Sequence, residues 1–550
     1  MNEQMRAGVQ DGVTRASDWW RGAVIYQIYP RSFQDSNGDG IGDLAGIIQR
    51  LQHVADLGVD AIWISPFFPS PMKDFGYDVR EYRDVDPIFG TLGDFDALIE
   101  RAHHLGLKVL IDLVLSHTSE EHPWFLESRT SRENAKSDWY VWADAKPDGT
   151  PPNNWLSLFG GPAWEWSTER QQYYMHNFLV EQPDLNLHNP EVQDELLDIA
   201  RFWLERGVDG FRLDTANLYF HDNQLRDNPV LPEAQRNEIL TPGVNPYNWQ
   251  EHVYDKNRPE NLVFLKRLRA LLESYGDRTT VGEIADAQKG LEIQAAYTSD
   301  GDKLHMCYDF AFLSKLHPSG DRVAEVLTRF EDAGPESWAC WAFSNHDVMR
   351  HVSRWGLSDA AARTYAALLL SLRGSVCLYQ GEELGLGEAY VPFEDLQDPY
   401  GIRFWPKYHG RDGCRTPIPW VHDAANGGFS TERPWLPLAV DHLEHAVADQ
   451  IENPESMLHF YQRMIGYRQS RRAMRSGALE IVDQRPEFLS FIRRHGEEEI
   501  FCAFSLSDAP QEIRLPEGNW RVETAVPFRA PRQIPATRLD GWQGFFARRF

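Results

Sequence analysis

Eight short apolar runs, many of them separated by stretches of helical periodicity, constrain this chain more than any other feature. The runs are Ala23–Tyr29, Asp60–Ser65, Lys108–Leu115, Val208–Leu213, Thr279–Ile284, His305–Ala311, Trp338–Ser344 and Ser375–Tyr379. Between them, Leu44–Leu57, Leu92–Leu105 and Glu191–Arg206 place apolar residues at i, i+3 and i+4, the spacing of a helix with one buried face. Near-continuous apolar strands joined by helical crossovers form parallel sheets, and eight of them predict a (β/α)8 barrel of the α/β class.

The chain is longer than a barrel needs, so the excess must sit in insertions. Thr118–Asn186, after the third strand, is rich in Trp, Pro, Gly and Asn and reads as a loop-rich subdomain. Long connections also follow the fourth strand (Asn217–Asn261) and the eighth (Gly381–Asp441). From about Ser476 the pattern becomes short strands broken by turn residues: Leu479–Val482, Phe488–Arg493, Ile500–Phe504 and Gln511–Leu515. The expected organisation is a barrel over 18–117 and 187–475, a subdomain over 118–186 and a C-terminal antiparallel β-domain over 476–550.

Composition excludes some classes of function. A net charge of −27 speaks against nucleic acid and anionic membranes as partners. No run of 18 apolar residues is present, and Met1–Ser17 is polar, without the apolar core of a secretory leader. Five scattered cysteines, none in a Cys-x-x-Cys pair, fit a reducing compartment better than a disulfide framework or a zinc site. The expectation is a soluble cytoplasmic enzyme, monomeric or homodimeric, acting on a neutral small molecule.

Chemistry gathers where the strands end. Gly210-Phe-Arg-Leu-Asp214 puts Arg212 and Asp214 two apart, on one side of a strand. A cation there favours an ionised carboxylate, suited either to a structural ion pair or to a nucleophile. The third strand ends Asp112-Leu-Val-Leu-Ser-His117, the fifth at Glu283 and the seventh at Asn345-His346-Asp347. In a barrel all these ends meet at one mouth. Two carboxyl groups, one attacking carbon and one moving a proton, are what glycoside cleavage requires. Glu283, among Val281, Gly282 and Ile284, has the apolar surroundings that raise an acid's pKa.

These segments, with Gln27-Ile-Tyr-Pro-Arg-Ser-Phe33, Gln182-Pro-Asp-Leu-Asn186 and Gln380-Gly-Glu-Glu-Leu384, resemble the α-amylase superfamily, glycoside hydrolase family thirteen, in its α-glucosidase and oligo-1,6-glucosidase branch. The resemblance runs from about Trp20 to the C-terminus. It implies Asp214 as nucleophile, Glu283 as general acid/base and Asp347 as the residue gripping sugar hydroxyls, with His117 and His346 bonding the same hydroxyls. Arg212 would orient Asp214, while Tyr77 and Phe159 would pack on the sugar. Asp78 resembles the acid that grips the non-reducing end in exo-acting members, with Arg415, or alternatively Arg411, closing the pocket beside it. Ser116 stands where many relatives carry Asn, and its hydroxyl can still hydrogen-bond. Thr215 resembles the residue of maltose-type rather than isomaltose-type enzymes.

Asp35, Asn37, Asp39, Ile41 (through its carbonyl) and Asp43 resemble the family's structural Ca²⁺ or Mg²⁺ loop; the alternative is an Asx-rich turn without metal. The function implied is a retaining, exo-acting α-glucosidase, α-1,4 bonds favoured, that releases glucose or transfers it to sugar or alcohol acceptors. Acceptor contacts are expected in Asn217–Asn261, around His221. An isomerising glucosyltransferase, an oligo-1,6-glucosidase and, distantly, a non-catalytic binding subunit are the alternatives.

Overall fold

The computed structural model describes residues 18–528 and 538–550; Met1–Ser17, read above as lacking an apolar leader, lie outside them. The eight runs become eight parallel strands: β1 (Val24–Ile28), β2 (Ala61–Ile64), β3 (Lys108–Leu113), β4 (Gly210–Leu213), β5 (Thr279–Ile284), β6 (Met306–Asp309), β7 (Cys340–Ala342) and β8 (Ser375–Tyr379). They pair in the order β7-β8-β1-β2-β3-β4-β5-β6. A parallel bridge from Cys307 to Ala339 joins β6 to the residue before β7 and closes the barrel. Several runs outlast their ladders because burial continues beyond the pairing: Tyr29 and Leu115 remain covered after β1 and β3 end.

Alternation along the strands builds two cores. Ile25, Trp63, Leu110, Val281, Met306 and Cys377 belong to the cluster that fills the barrel. Tyr26, Ile62, Val109, Ile111, Phe211 and Leu213 point the other way and pack in the large cluster shared with the helices. Helix α1 (Leu44–Asp56) buries Leu44, Ile47, Leu51 and Val54 on one stripe, and the Asp43 side chain caps it by accepting from Gly46 N. A capping box of Thr91 and Asp94 opens α2 (Leu92–His104). Asn189, with Pro190 in the first turn, opens α3 (Pro190–Glu205).

Between β3 and β4 lies a three-stranded antiparallel sheet in which Gln172–Met175 is flanked by Trp142–Ala143 and Trp164–Ser167. Trp155, Trp164 and Met175 form its core. The C-terminal sheet has five antiparallel strands, ordered Ala478–Arg485, Phe488–His495, Glu498–Ser505, Gly544–Arg549, Trp520–Val522. Its Phe491, Phe504 and Phe546 join the barrel's outer core, while Phe501, Trp520 and Phe545 form a smaller cluster. Among the described residues no helix is long and apolar enough to cross a membrane.

Strand register sets up the site. Asp112 of β3 is level with Arg212 of β4, Arg212 with Val281 of β5, and Glu283 of β5 with Tyr308 of β6. Four polar side chains from four adjacent strands therefore approach one point at the C-terminal mouth.

Candidate active site

Arg212 is fully buried at that point. Its Nη1 donates to Asp112 Oδ1 at 2.9 Å and to Asp214 Oδ1 at 2.7 Å. Its Nη2 donates to Glu283 Oε2, and to the Tyr308 hydroxyl at 2.8 Å. A guanidinium presents its donors in a rigid fork, so Asp214 and Glu283 are fixed at neighbouring amino groups of a single cation. Asp112 is further held by Trp63 Nε1 and the Tyr77 hydroxyl, both at 3.1 Å.

Thr215 ties the two carboxylates together again. Its N–H donates to Glu283 Oε2 and its hydroxyl to Asp214 Oδ2, each at 3.2 Å. Its φ is 35°, in the left-handed region, which costs a β-branched residue energy. That turn follows β4 directly and leaves the Asp214 carboxylate at the mouth.

Asp214, Glu283 and Asp347 line one cavity of about 740 Å³, together with Tyr77, His117, Phe159, Phe178 and Phe310. Its mix of aromatic walls with a few charged groups suits a small ligand. Burial raises Glu283 to about 8, and the negative charges of Asp214 and Asp347 act in the same direction against Arg212. The group therefore keeps its proton at neutral pH, as a general acid must. Asp347 behaves oppositely. Burial pulls it up, but Arg411 and Arg415, 3.1 and 3.0 Å from its Oδ1, help hold it below the ordinary carboxylate range. Burial also depresses His346, so a neutral imidazole faces Asp347 and the guanidiniums supply the charge.

His117 lines the cavity and is pushed down to about 4 by burial, hence neutral. Ser116 Oγ is 2.9 Å from its Nδ1, so the hydroxyl expected to replace an amide does hydrogen-bond. His346 stands one layer back, its Nδ1 2.7 Å from Gln27 Nε2 and its Nε2 2.6 Å from the Tyr77 hydroxyl, with the Tyr77 ring stacked on it at 5.4 Å. Tyr77 and Phe159 face the cavity as expected.

A family profile described as the alpha amylase catalytic domain matches residues 27–477. The chain belongs to the alpha-amylase family. A probable alpha-glucosidase of Rhizobium meliloti (strain 1021) is 62% identical over 535 residues, covering 96% of this chain and 97% of that one. An oligo-1,6-glucosidase of Heyndrickxia coagulans is 36% identical over 552 residues, covering 92% and 95%. The crystal structure of an alpha-glucosyl transfer enzyme superposes with a TM-score of 0.93 at 54% identity, covering 97% of this chain and 99% of that one. This member of the family is thus a glycoside hydrolase of the α-glucosidase type.

Two expectations about the closed end of the pocket are corrected. Asp78 and Arg415 do not meet. Asp78 accepts from Ser70 Oγ, Lys73 N and Asp74 N, so it closes a turn behind the site. Arg415 instead bonds Asp347 and the His346 carbonyl. The pair that lines the cavity is Asp74 with Arg411, whose Nη2 lies 2.8 Å from Asp74 Oδ1 and 2.8 Å from Asp398 Oδ1. The Arg411 guanidinium also covers the Phe159 ring at 4.9 Å. Asp74 and Asp78 occupy the same short segment, but Phe75 and Gly76, with φ of 51° and 105°, turn the chain between them. The competing choice of Arg411 was available from the sequence; which of two aspartates faces the cavity was not.

His221 is likewise displaced from its expected place. It lines a separate polar cavity with Tyr140, Asn186 and Asn223, under the inserted sheet. From the connection after β4, Leu240 and Thr241 are what reach the catalytic cavity. Asp112 was named at the third strand's end without a role, and Tyr308, Tyr400 and Tyr408 were not singled out in the sequence. Asp112 had a signal, since it opens the third-strand motif in register with Arg212.

In the Asp35–Asp43 loop the donors are all oxygens, a set suited to a hard cation. Their arrangement is an Asx-rich turn: Asp35 Oδ1 accepts from Asn37 N and Gly38 N, Asp39 Oδ1 from Ile41 N, and Asp43 Oδ1 from Gly46 N. Among the described residues no three Asp, Glu, His or Cys side chains are gathered as a metal would need. As placed, the loop's carboxylates are engaged in the hydrogen bonds of the turn.

Proposed function

We propose that this chain is a retaining, exo-acting α-glucosidase. It removes or transfers single α-glucosyl units from the non-reducing end of short α-glucosides, with maltose-type α-1,4 bonds favoured. The observation that carries this reading is the shared Arg212 fork, which holds an attacking and a protonating carboxyl group side by side. Two carboxyl groups bonded to one guanidinium suit retention, where the groups lie about 5–5.5 Å apart, better than inversion, where about 6.5–9.5 Å leaves room for a water.

Glu283 gives its proton to the glycosidic oxygen as Asp214 attacks C1, and the aglycone leaves. Glu283, now a carboxylate, takes a proton from water or an acceptor hydroxyl whose oxygen attacks C1, and the ester bond to Asp214 breaks. Asp347, held ionised between Arg411 and Arg415, accepts from sugar hydroxyls that become more acidic as the ring gains positive charge.

Arg411 and Asp74 close the far end, which restricts the donor to one terminal glucose. Asp74→Ala is expected to lower kcat/KM for maltose by about 10- to 100-fold, the worth of one or two charge-assisted hydrogen bonds. Most of the loss should lie in KM, measured by initial rates across maltose to maltotetraose, and should shrink as the chain lengthens. Thr215→Val removes the hydroxyl on Asp214 and is expected to raise the isomaltose-to-maltose rate ratio several-fold, by order of magnitude.

The decisive experiment is a time course on maltose, isomaltose, sucrose and trehalose that resolves every product. Glucose from maltose with little from isomaltose supports the proposal. Isomaltose cleaved faster points to an oligo-1,6-glucosidase. New disaccharides at constant total sugar point to an isomerising glucosyltransferase, which would overturn the hydrolytic half.

Cation binding at Asp35–Asp43 remains part of this proposal as a structural matter; no catalytic step runs through it. A bound ion has to replace the Asx-turn hydrogen bonds. If it does, millimolar Ca²⁺ raises Tm by several degrees, roughly, over a chelated sample. Equal Tm values with Ca²⁺, Mg²⁺ and chelator would assign the loop to the metal-free turn.

A further inference from the structure

Three cavities meet at one side chain. The catalytic cavity of about 740 Å³ adjoins an outer cavity of about 1350 Å³ at Leu240, Thr241, Asp347, Val348 and Tyr408. A third, of about 340 Å³, is lined in part by Asp286, Ala287 and Gln288, which follow the strand that carries Glu283. Leu240 is the one residue that lines all three.

The third cavity has a mixed lining, in which polar side chains stand among Leu231, Leu240 and Tyr247. Asn237, Asn248, His252, Lys256, Asp286 and Gln288 contribute to its wall. Gln250 lines it too, and its buried Oε1 has no partner in the protein. Buried polar groups of this kind are satisfied by ordered water. Leu240 is held in place by its loop: Asn237 Nδ2 donates to Ala287 O at 3.4 Å, and Thr241 Oγ1 to Asn248 Oδ1 at 2.7 Å. An apolar side chain thus stands between a space suited to water and the carbon that water must attack.

We infer that Leu240 sets the partition between hydrolysis and transfer by screening the glucosyl-enzyme from water in the third cavity. The inference rests on the retaining reading above. Both fates share one balance: an oxygen bonds to C1, the C1–Asp214 ester bond breaks, and the proton goes to Glu283. They differ in where the attacking hydroxyl enters: an acceptor through the outer cavity once the aglycone has left by it, water past Leu240 from the third cavity.

The test uses 4-nitrophenyl α-glucoside with a fixed concentration of glycerol, an acceptor that is not itself a donor, and measures free glucose against nitrophenol released. Leu240→Ala should raise that ratio roughly threefold and Leu240→Phe should lower it, a small difference in barrier height either way. Ala287→Leu, at a residue that lines the third cavity but not the catalytic one, should lower the ratio while leaving the KM for acceptor unchanged. An unchanged ratio in all three variants, or a fall in Leu240→Ala, would overturn the inference while leaving the glucosidase reading intact. No nitrophenol release by the unaltered enzyme would overturn that reading itself, and this inference with it.

Discussion

Asp214→Ala is expected to abolish turnover of maltose, with kcat falling by about five orders of magnitude, as when a covalent nucleophile is deleted. The direction follows from the site: the Arg212 fork and the Thr215 hydroxyl both hold this carboxylate. Of the other aspartates lining the cavity, Asp347 is fixed between two guanidiniums and Asp74 is paired with Arg411. The substitution opens space at C1, so added azide should restore part of the activity on 4-nitrophenyl α-glucoside. The azide would then attack C1 directly and give β-glucosyl azide, with inverted configuration. Azide product analysed by NMR separates this outcome from simple unfolding. Undiminished activity in Asp214→Ala would sink the mechanism.

Glu283→Gln should give the second largest loss, and a more selective one. An amide cannot donate a proton to a poor leaving group, so maltose turnover should fall by about three to four orders of magnitude. Nitrophenol leaves without protonation, so the first step on the aryl glucoside should be nearly spared and the glucosyl-enzyme should accumulate. Azide needs no base and should accelerate its breakdown to α-glucosyl azide, the opposite anomer from Asp214→Ala. The pH profile carries the same assignment. The free enzyme needs Glu283 protonated, and burial holds its pKa at about 8. For the unaltered protein kcat/KM should therefore hold through neutrality and fall about tenfold per unit above that value. The Gln variant should lack this alkaline limb. A limb that survives in Glu283→Gln would assign the titration to another group.

The barrel was legible because its signal repeats: each strand is a short apolar run and each strand end a polar punctuation. The catalytic carboxylates were legible for a related reason, since a barrel brings every strand's C-terminal end to one rim whatever the loops do. Arg212 shows how far this reaches. Its partnership with Asp214 follows from spacing along a strand, and that with Asp112 follows from register between strands. Loops carry no such periodicity. Asp78 and Asp74 differ only in which side of the Phe75–Gly76 turn they occupy, and the turn is fixed by the hydrogen bonds from Ser70 and Lys73 to Asp78. His221 was drawn toward the site by its nearness to Asp214 in sequence, but the chain carries it under the inserted sheet instead. The contribution of Leu240 depends on three cavities meeting, which no local pattern records.

The proposed mechanism requires Asp214 to form a covalent intermediate beside Glu283. Its most direct test is the configuration of glucose at the moment of release, read by proton NMR in the first minutes of aryl α-glucoside hydrolysis before mutarotation. Glucose appearing first as the α-anomer is the predicted result, from two successive displacements at C1. Glucose appearing first as the β-anomer would contradict it, because a single displacement by water leaves Asp214 no bond to form.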